Sequence, residues 1–334
     1  MNRRTFNKLL GIGLGTLDHS FMKPLKKKKE YISKESHIGL IAPSGRLTQT
    51  KLQKAKKNLD VLGLKYTFSK YAAESDGYFA GTDAMRIHDL HAMYDNPEID
   101  AIWCIRGGYG VTRIVDHLDY DLIGRNPKPI IGYSDITTLL AAIYQKTGNA
   151  CYHGPVAAST MSEYTIDHLK PIYGLDKDMD IELSKSNIEM AKEKTVYQYR
   201  VINPGKAKGK LVGGNLSLLS AMVGTRHALQ AKNKLVFLED IGEEPYRVDR
   251  MLTQLISSGF FEGVRGVFLG VFAGCHKKDE HSKTLIEVIS ERIKRIEVPS
   301  AYGFSFGHID DQCTFRFGQE AELNTEARTI RLFA

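Results

Sequence analysis

The sequence is poor in the features that would commit it to several common classes. Its four cysteines, Cys104, Cys151, Cys275 and Cys313, form no C-x-x-C pair. They have neither zinc-finger spacing nor the density of a disulfide scaffold. Neither H-E-x-x-H nor H-x-x-E-H occurs, so the common zinc-hydrolase spacings are missing. There is a single tryptophan, no internal repeat, and no low-complexity tract beyond one lysine run. The apolar run over residues 9–17 is too short and too glycine-rich to span a bilayer stably. No cofactor motif stands out, and none is expected.

The body also lacks an excess of charge of either sign. The chain of 334 residues carries a net +7. Residues 1–30 hold eight basic side chains against two acidic ones, which leaves the remainder near +1. A nearly neutral body argues against nucleic acid as the partner. The leader pairs Arg3-Arg4 with Phe6 and Lys8 ahead of its short apolar run and resembles a twin-arginine export signal. The expectation is a periplasmic protein with a basic linker at Lys26–Lys29; a disordered tail on a cytoplasmic protein is the alternative. Fractionation of wild type against Arg3→Lys/Arg4→Lys tests it, since cytoplasmic residence of both would rule out export.

Hydrophobic content of 42% and charged content of 25% are those of a globular protein. Apolar runs alternate with helical patterns from His37 to Tyr144. Strands are expected at residues 37–42, 65–68, 101–105 and 130–131, with helices at 51–62, 82–94 and 111–117 between them. Such alternation predicts an α/β fold with a parallel sheet over 36–165, covered on both faces. Residues 166–205 are polar and read as an irregular linker. Residues 206–334 read as a second α/β domain, whose strands at 314–317 and 329–332 end the chain as a hairpin or meander.

The reactive residues stand where apolar strands end. Ile130-Ile131 reads as a strand that breaks at Gly132, and Asp135 to Tyr144 as an amphipathic helix, which puts Ser134 on the turn between them. Helix N-terminal amides beside a serine hydroxyl can stabilise an oxyanion. Serine is equally a favoured helix cap, so the tetrapeptide alone leaves both roles open. Glu239 ends the strand Leu235-Val236-Phe237-Leu238, and His308 follows a glycine in Phe306-Gly307-His308. Histidine is a suitable general base at neutral pH, and a carboxylate can orient it. Each also has a structural reading: a surface acid, a loop histidine. A metal-dependent hydrolase using His308, Asp310, Asp311, Glu239 and Asp240, and a non-catalytic periplasmic binding protein, are readings from other classes.

Several motifs in order narrow the choice. Ile41-Ala42-Pro43-Ser44-Gly45, Arg106-Gly107-Gly108-Tyr109-Gly110, Gly132-Tyr133-Ser134-Asp135, His153-Gly154-Pro155, Gly213-Gly214-Asn215-Leu216, Leu238-Glu239-Asp240 and Phe306-Gly307-His308 together resemble the L,D-carboxypeptidases related to muramoyltetrapeptide carboxypeptidase. The resemblance implies a serine peptidase whose active site lies between the two domains. It implies a Ser134–His308–Glu239 triad that releases the terminal D-alanine of a peptidoglycan tetrapeptide through an acyl-enzyme, and a homodimer. Asp135 and Gly108 are then candidate oxyanion donors, and Arg106 a candidate partner for the substrate's terminal carboxylate. A sister branch of that family hydrolyses peptidyl nucleotides and would need an aromatic platform. The lone Trp103 sits mid-strand and reads as core.

Overall fold

The computed structural model describes residues 30–334, so the export-like leader and lysine run lie outside the described residues, apart from Glu30. Five short strands run parallel: β1 (His37–Ile41), β2 (Lys65–Phe68), β3 (Ala101–Cys104), β4 (Ile130–Gly132) and β5 (Cys151–His153). Their order is β2-β1-β3-β4-β5. β3 and β4 are buried along their whole length, as parallel strands covered on both faces must be. Between them lie α1 (Gln49–Val61), α2 (Asp83–Asp95), α3 (Val111–Ile114), α4 (Tyr120–Arg125) and α5 (Thr137–Thr147). Thr48 and Thr82 cap the first two helices, each hydroxyl accepting from a backbone N–H three residues on. The short helix α4 has no counterpart in the sequence reading.

The rest of the chain supplies β6 (Met179–Ile181), β7 (Arg200–Asn203), β8 (Lys206–Asn215), β9 (Lys234–Glu239), β10 (Gly266–Val271), β11 (Ser300–Gly307), β12 (Phe315–Arg316), β13 (Glu320–Asn324) and β14 (Thr329–Leu332). Eight of these form one mixed sheet in the order β6-β14-β13-β8-β9-β10-β11-β7. Its centre, β8 to β11, is parallel.

Four expectations need correction. The stretch 166–205 is no irregular linker, for it carries the helix Lys185–Glu193 and both edge strands of the second sheet. Edge strands are half exposed, so their residues look polar and give no apolar run. The strand Phe315–Arg316 does not pair with Thr329–Leu332; it crosses over and pairs antiparallel with β5, Phe315 opposite His153. The hairpin is instead β13 with β14. Residues 302–307, to which the sequence reading gives no element, belong to the buried strand β11.

The helix after Ser134 is the fourth. It opens as a single 3-10 turn, and residues 137–143 are all buried. Only its last turn, 144–147, reaches solvent. The helix sits against β4 and β5 on one side and against β8 and the helix Leu216–Ala221 on the other. Thr137 makes the join: its hydroxyl accepts from the Asn215 N–H at 3.0 Å. Gly214 (φ 138°) passes so close that a Cβ would stand 2.5 Å from the Thr137 methyl. One apolar core therefore runs from the first sheet into the second.

Candidate active site

Three loops leave the carboxyl ends of β1, β3 and β4, where open α/β sheets collect ligands. The loop after β4 carries Ser134. Gly132 makes the tight turn possible, since a Cβ there would lie 2.8 Å from the Ile136 side chain. Ser134 itself is held at φ 64°, a left-handed conformation that costs a non-glycine residue free energy. A strained serine on a strand-to-helix turn is the geometry of a nucleophile elbow.

The loop after β3 covers that serine. A Cβ on Gly107 would stand 3.1 Å from Ser134 Oγ, so only glycine leaves the hydroxyl open. The loop is tied down from behind. The Asp135 carboxylate accepts from Ser44 Oγ at 2.5 Å and from the Val111 N–H at 3.0 Å, bracketing all three loops. Burial pushes that carboxyl up, against the pull of Ser44, Val111 and the nearby Arg86. Arg86 is buried and donates from Nη1 to the Pro43 and Gly110 carbonyls, at 2.8 and 2.9 Å, while its other nitrogen pairs with Asp83. None of Ser44, Arg86 or Gly107 was singled out from sequence as a site residue. Ser44 and Gly107 appear there only inside longer motifs, and Arg86 in none.

The second sheet brings the other two groups. β9 ends on Glu239, which is 0% exposed. β11 ends one residue before His308. Its pairing with β10 shifts register twice, between Leu269 and Gly270 and between Gly270 and Val271, and such irregularities re-aim a strand. Gly307, at φ 112°, completes the bend, with its Cα face against Glu239 and the Val271 carbonyl. His308 Nδ1 then lies 2.7 Å from Glu239 Oε2, and Nε2 lies 3.0 Å from Ser134 Oγ. A carboxylate only accepts, so the ring proton belongs on Nδ1 and Nε2 is left to accept the serine hydroxyl.

The electrostatics follow. Burial pushes Glu239 up, but the charge and hydrogen bond of His308, with smaller help from His153 and Asn215, outweigh it and leave the carboxyl lowered. Burial lowers His308, while the charge of Glu239 and its hydrogen bond raise it more. Asp240 is pushed up to about 6 by burial and by the neighbouring Glu239 charge. Its carboxylate accepts from Asn215 Nδ2 and from the Ser217 N–H and hydroxyl. Behind the site, buried His153 is driven down to about 4 by desolvation, so it stays neutral.

Of the remaining sequence candidates, Arg106 donates from Nη1 to the Arg46 carbonyl at 2.7 Å and has no carboxylate partner among the described residues. Burial, then the charge of Arg46, lower it. Gly108 (φ 130°) packs against Gly45 beside Ser44. Asp311 accepts from Ser162 Oγ and Asp240 is occupied as above, so these acids do not converge on His308 as a metal set would. Trp103 is buried, its Nε1–H donating to the Pro155 carbonyl, and offers no stacking face. Beside His308 opens a cavity of about 410 Å³, lined from both halves of the chain by residues including Lys54, Tyr133, Thr160, Tyr197 and Asp310.

Family models for the LD-carboxypeptidase N-terminal and C-terminal domains match residues 38–154 and 208–323. The chain belongs to the LD-carboxypeptidase family. The first model spans the Ser134 elbow, and the second spans the strand ends that bear Glu239 and His308. This LD-carboxypeptidase is 36% identical over 313 residues to the probable murein peptide carboxypeptidase of Bacillus subtilis (strain 168), covering 91% of this chain and 94% of that one. It is 32% identical over 300 residues to the murein tetrapeptide carboxypeptidase of Pseudomonas aeruginosa, covering 86% and 93%. The crystal structure of muramoyltetrapeptide carboxypeptidase from Oxalobacter formigenes superposes with a TM-score of 0.74 at 28% identity, covering 89% of this chain and 98% of that one. The mixed α/β fold and the serine-peptidase class of this enzyme rest on these matches together.

Proposed function

We propose that this LD-carboxypeptidase releases the terminal D-alanine of peptidoglycan tetrapeptides through an acyl-enzyme on Ser134. One observation carries the reading: an unbroken hydrogen-bonded line from Ser134 Oγ through both nitrogens of His308 to buried Glu239. The murein carboxypeptidase relatives support the substrate.

In this reading His308 Nε2 takes the hydroxyl proton as Ser134 Oγ bonds to the carbonyl carbon before the terminal residue. The oxyanion that forms is met by the backbone N–H groups of Asp135 and Gly108. The imidazolium gives its proton to the departing D-alanine nitrogen as the C–N bond breaks. Water then attacks the ester, His308 accepts its proton and returns one to Oγ, and the shortened peptide leaves. Glu239 holds the Nδ1–H tautomer throughout and stabilises the imidazolium. Arg106, half buried and lacking a carboxylate partner among the described residues, pairs with the terminal carboxylate of the substrate.

The test is D-alanine release from a defined tetrapeptide with an L,D terminal bond, run beside a peptidyl adenylate. Release from the tetrapeptide, with slower or no cleavage of the adenylate, is the expected result. Preference for the adenylate would overturn the reading.

A further inference from the structure

His308 stands where the chain leaves one sheet for the other. It follows the last residue of β11, in the second sheet, and residues 309–314 carry the chain across to β12, in the first. On its N-terminal side the histidine hangs on Gly307, at φ 112° and beyond the two register shifts, so β11 alone does not fix its reach. On its C-terminal side the crossover is clamped by a segment distant in sequence. Thr165, 0% exposed in the short helix Glu163–Asp167, uses its hydroxyl twice. It donates to the Asp310 carbonyl and accepts from the Gln312 N–H, each at 2.9 Å. Ser162, the cap of the same helix, donates to Asp311 Oδ1 at 2.6 Å. Gln312 Nε2 closes the loop on the Ile309 carbonyl at 3.0 Å.

A buried threonine that satisfies two backbone groups of one loop has a structural use already. Without it a carbonyl and an N–H would be left buried and unpaired. The place of that loop in the chain adds a second use. It begins beside the imidazole that must stay 3.0 Å from Ser134 Oγ and 2.7 Å from Glu239 Oε2. The clamping helix is itself tied to the sheet that bears the serine, for Leu169 and Ile172, just beyond it, are buried in one cluster with Leu40 of β1 and Trp103 of β3. We propose that Thr165 is a positioning residue for the reaction: its hydroxyl, with that of Ser162 beside it, holds the crossover after His308 so that the imidazole meets Ser134 at hydrogen-bond distance. This rests on the function proposed above and adds a residue to the same site. Residues 162 and 165 fall between the two stretches that the family models match.

The experiment measures kcat and KM for D-alanine release in wild type, Thr165→Val, Thr165→Ser, Ser162→Ala and Thr325→Val, each well below its own melting temperature. Valine keeps the shape of threonine and removes the hydroxyl; serine keeps the hydroxyl. Thr325 is the matched control. It is also 0% exposed, and its hydroxyl also serves two backbone groups, accepting from the Gly205 N–H at 2.9 Å and donating to the Gly205 carbonyl at 3.0 Å. Gly205 precedes β8, at the opposite end of that strand from Asn215, the residue paired with Glu239. Both valine variants are expected to lower the melting temperature by similar amounts, since each strands a pair of backbone groups. Thr165→Val is expected to lower kcat by about tenfold or more with KM within about twofold of wild type, because a misplacement of about 1 Å at a reacting group can cost about a hundredfold. Thr165→Ser is expected to recover kcat to within about threefold of wild type, and Ser162→Ala to lose about threefold. Thr325→Val is expected to keep the wild-type kcat. A wild-type kcat in Thr165→Val, or an equal loss of kcat in Thr325→Val, would overturn the assignment and leave the proposed function standing. Should Thr165→Val not fold, Ser162→Ala decides, and an unchanged kcat there overturns it. A wild type that releases no D-alanine would bring down the proposed function, and this assignment with it.

Discussion

Ser134→Ala is expected to lower the turnover number for D-alanine release by about 10⁴-fold or more, the range seen when a triad nucleophile is removed from a serine peptidase. The hydroxyl stands both at His308 Nε2 and against the Gly107 face of the glycine loop. A steady-state assay at neutral pH checks it; activity within tenfold of wild type would show that Ser134 is not the nucleophile. The same position carries a second, opposite effect. At φ 64° a serine stores strain of about 1–3 kcal/mol, which a glycine does not. Glycine gives back roughly 0.5–1 kcal/mol through the greater freedom of its unfolded chain. Ser134→Gly is therefore expected to be as inactive as Ser134→Ala and about 1 kcal/mol more stable to urea. A destabilised Ser134→Gly would mean that the elbow is held by the serine hydroxyl rather than against its backbone preference.

How far the site could be read from sequence depends on how far apart its parts lie. Ser134 and Glu239 were legible as candidates because one lies just past an apolar strand and the other ends one, although a helix cap and a surface acid fit those positions as well. For His308 the mark was the glycine before it, which ends the buried strand β11 at φ 112°. The supporting groups were not legible. Ser44 and Asp135 are 91 residues apart, and nothing local to either announces their bond. Asp135 was read only as a backbone donor, whereas its carboxylate is also the bracket that unites three loops. Thr137 and Thr138 made the helix look amphipathic, yet Thr137 spends its hydroxyl on a backbone N–H from the other sheet. Such a threonine is polar in composition and part of the core in fact. The two-residue strand Phe315–Arg316 is too short to carry a period, so its crossing to the first sheet leaves no trace in the pattern.

Glu239→Gln is expected to lower the turnover number by about 10³–10⁴-fold with little change in shape, because an amide can direct either an oxygen or an N–H at His308 Nδ1. When it directs the N–H, the ring proton moves to Nε2 and the base can no longer accept from Ser134. The pH profile separates this from general damage. In wild type, burial lowers the imidazole, but the Glu239 charge and hydrogen bond prevail, so its folded value lies above the ordinary 6.5. A general base must be neutral, so the acid limb of kcat/KM is expected above pH 6.5. Stability runs the other way. The raised His308 contributes fully below about 6.5, and its contribution is lost as pH rises through the folded value. The lowered Glu239 contributes above about 4.5 and is lost as pH falls through its own folded value. The pair therefore stabilises the fold most between those two values, while activity is greatest above them. In Glu239→Gln the acid limb is expected to fall to 6.5 or below, and the stability maximum between pH 4.5 and 6.5 to flatten. A variant that kept the wild-type acid limb while losing activity would show that Glu239 does not set the basicity of His308, leaving the carboxylate a structural group buried beside the site.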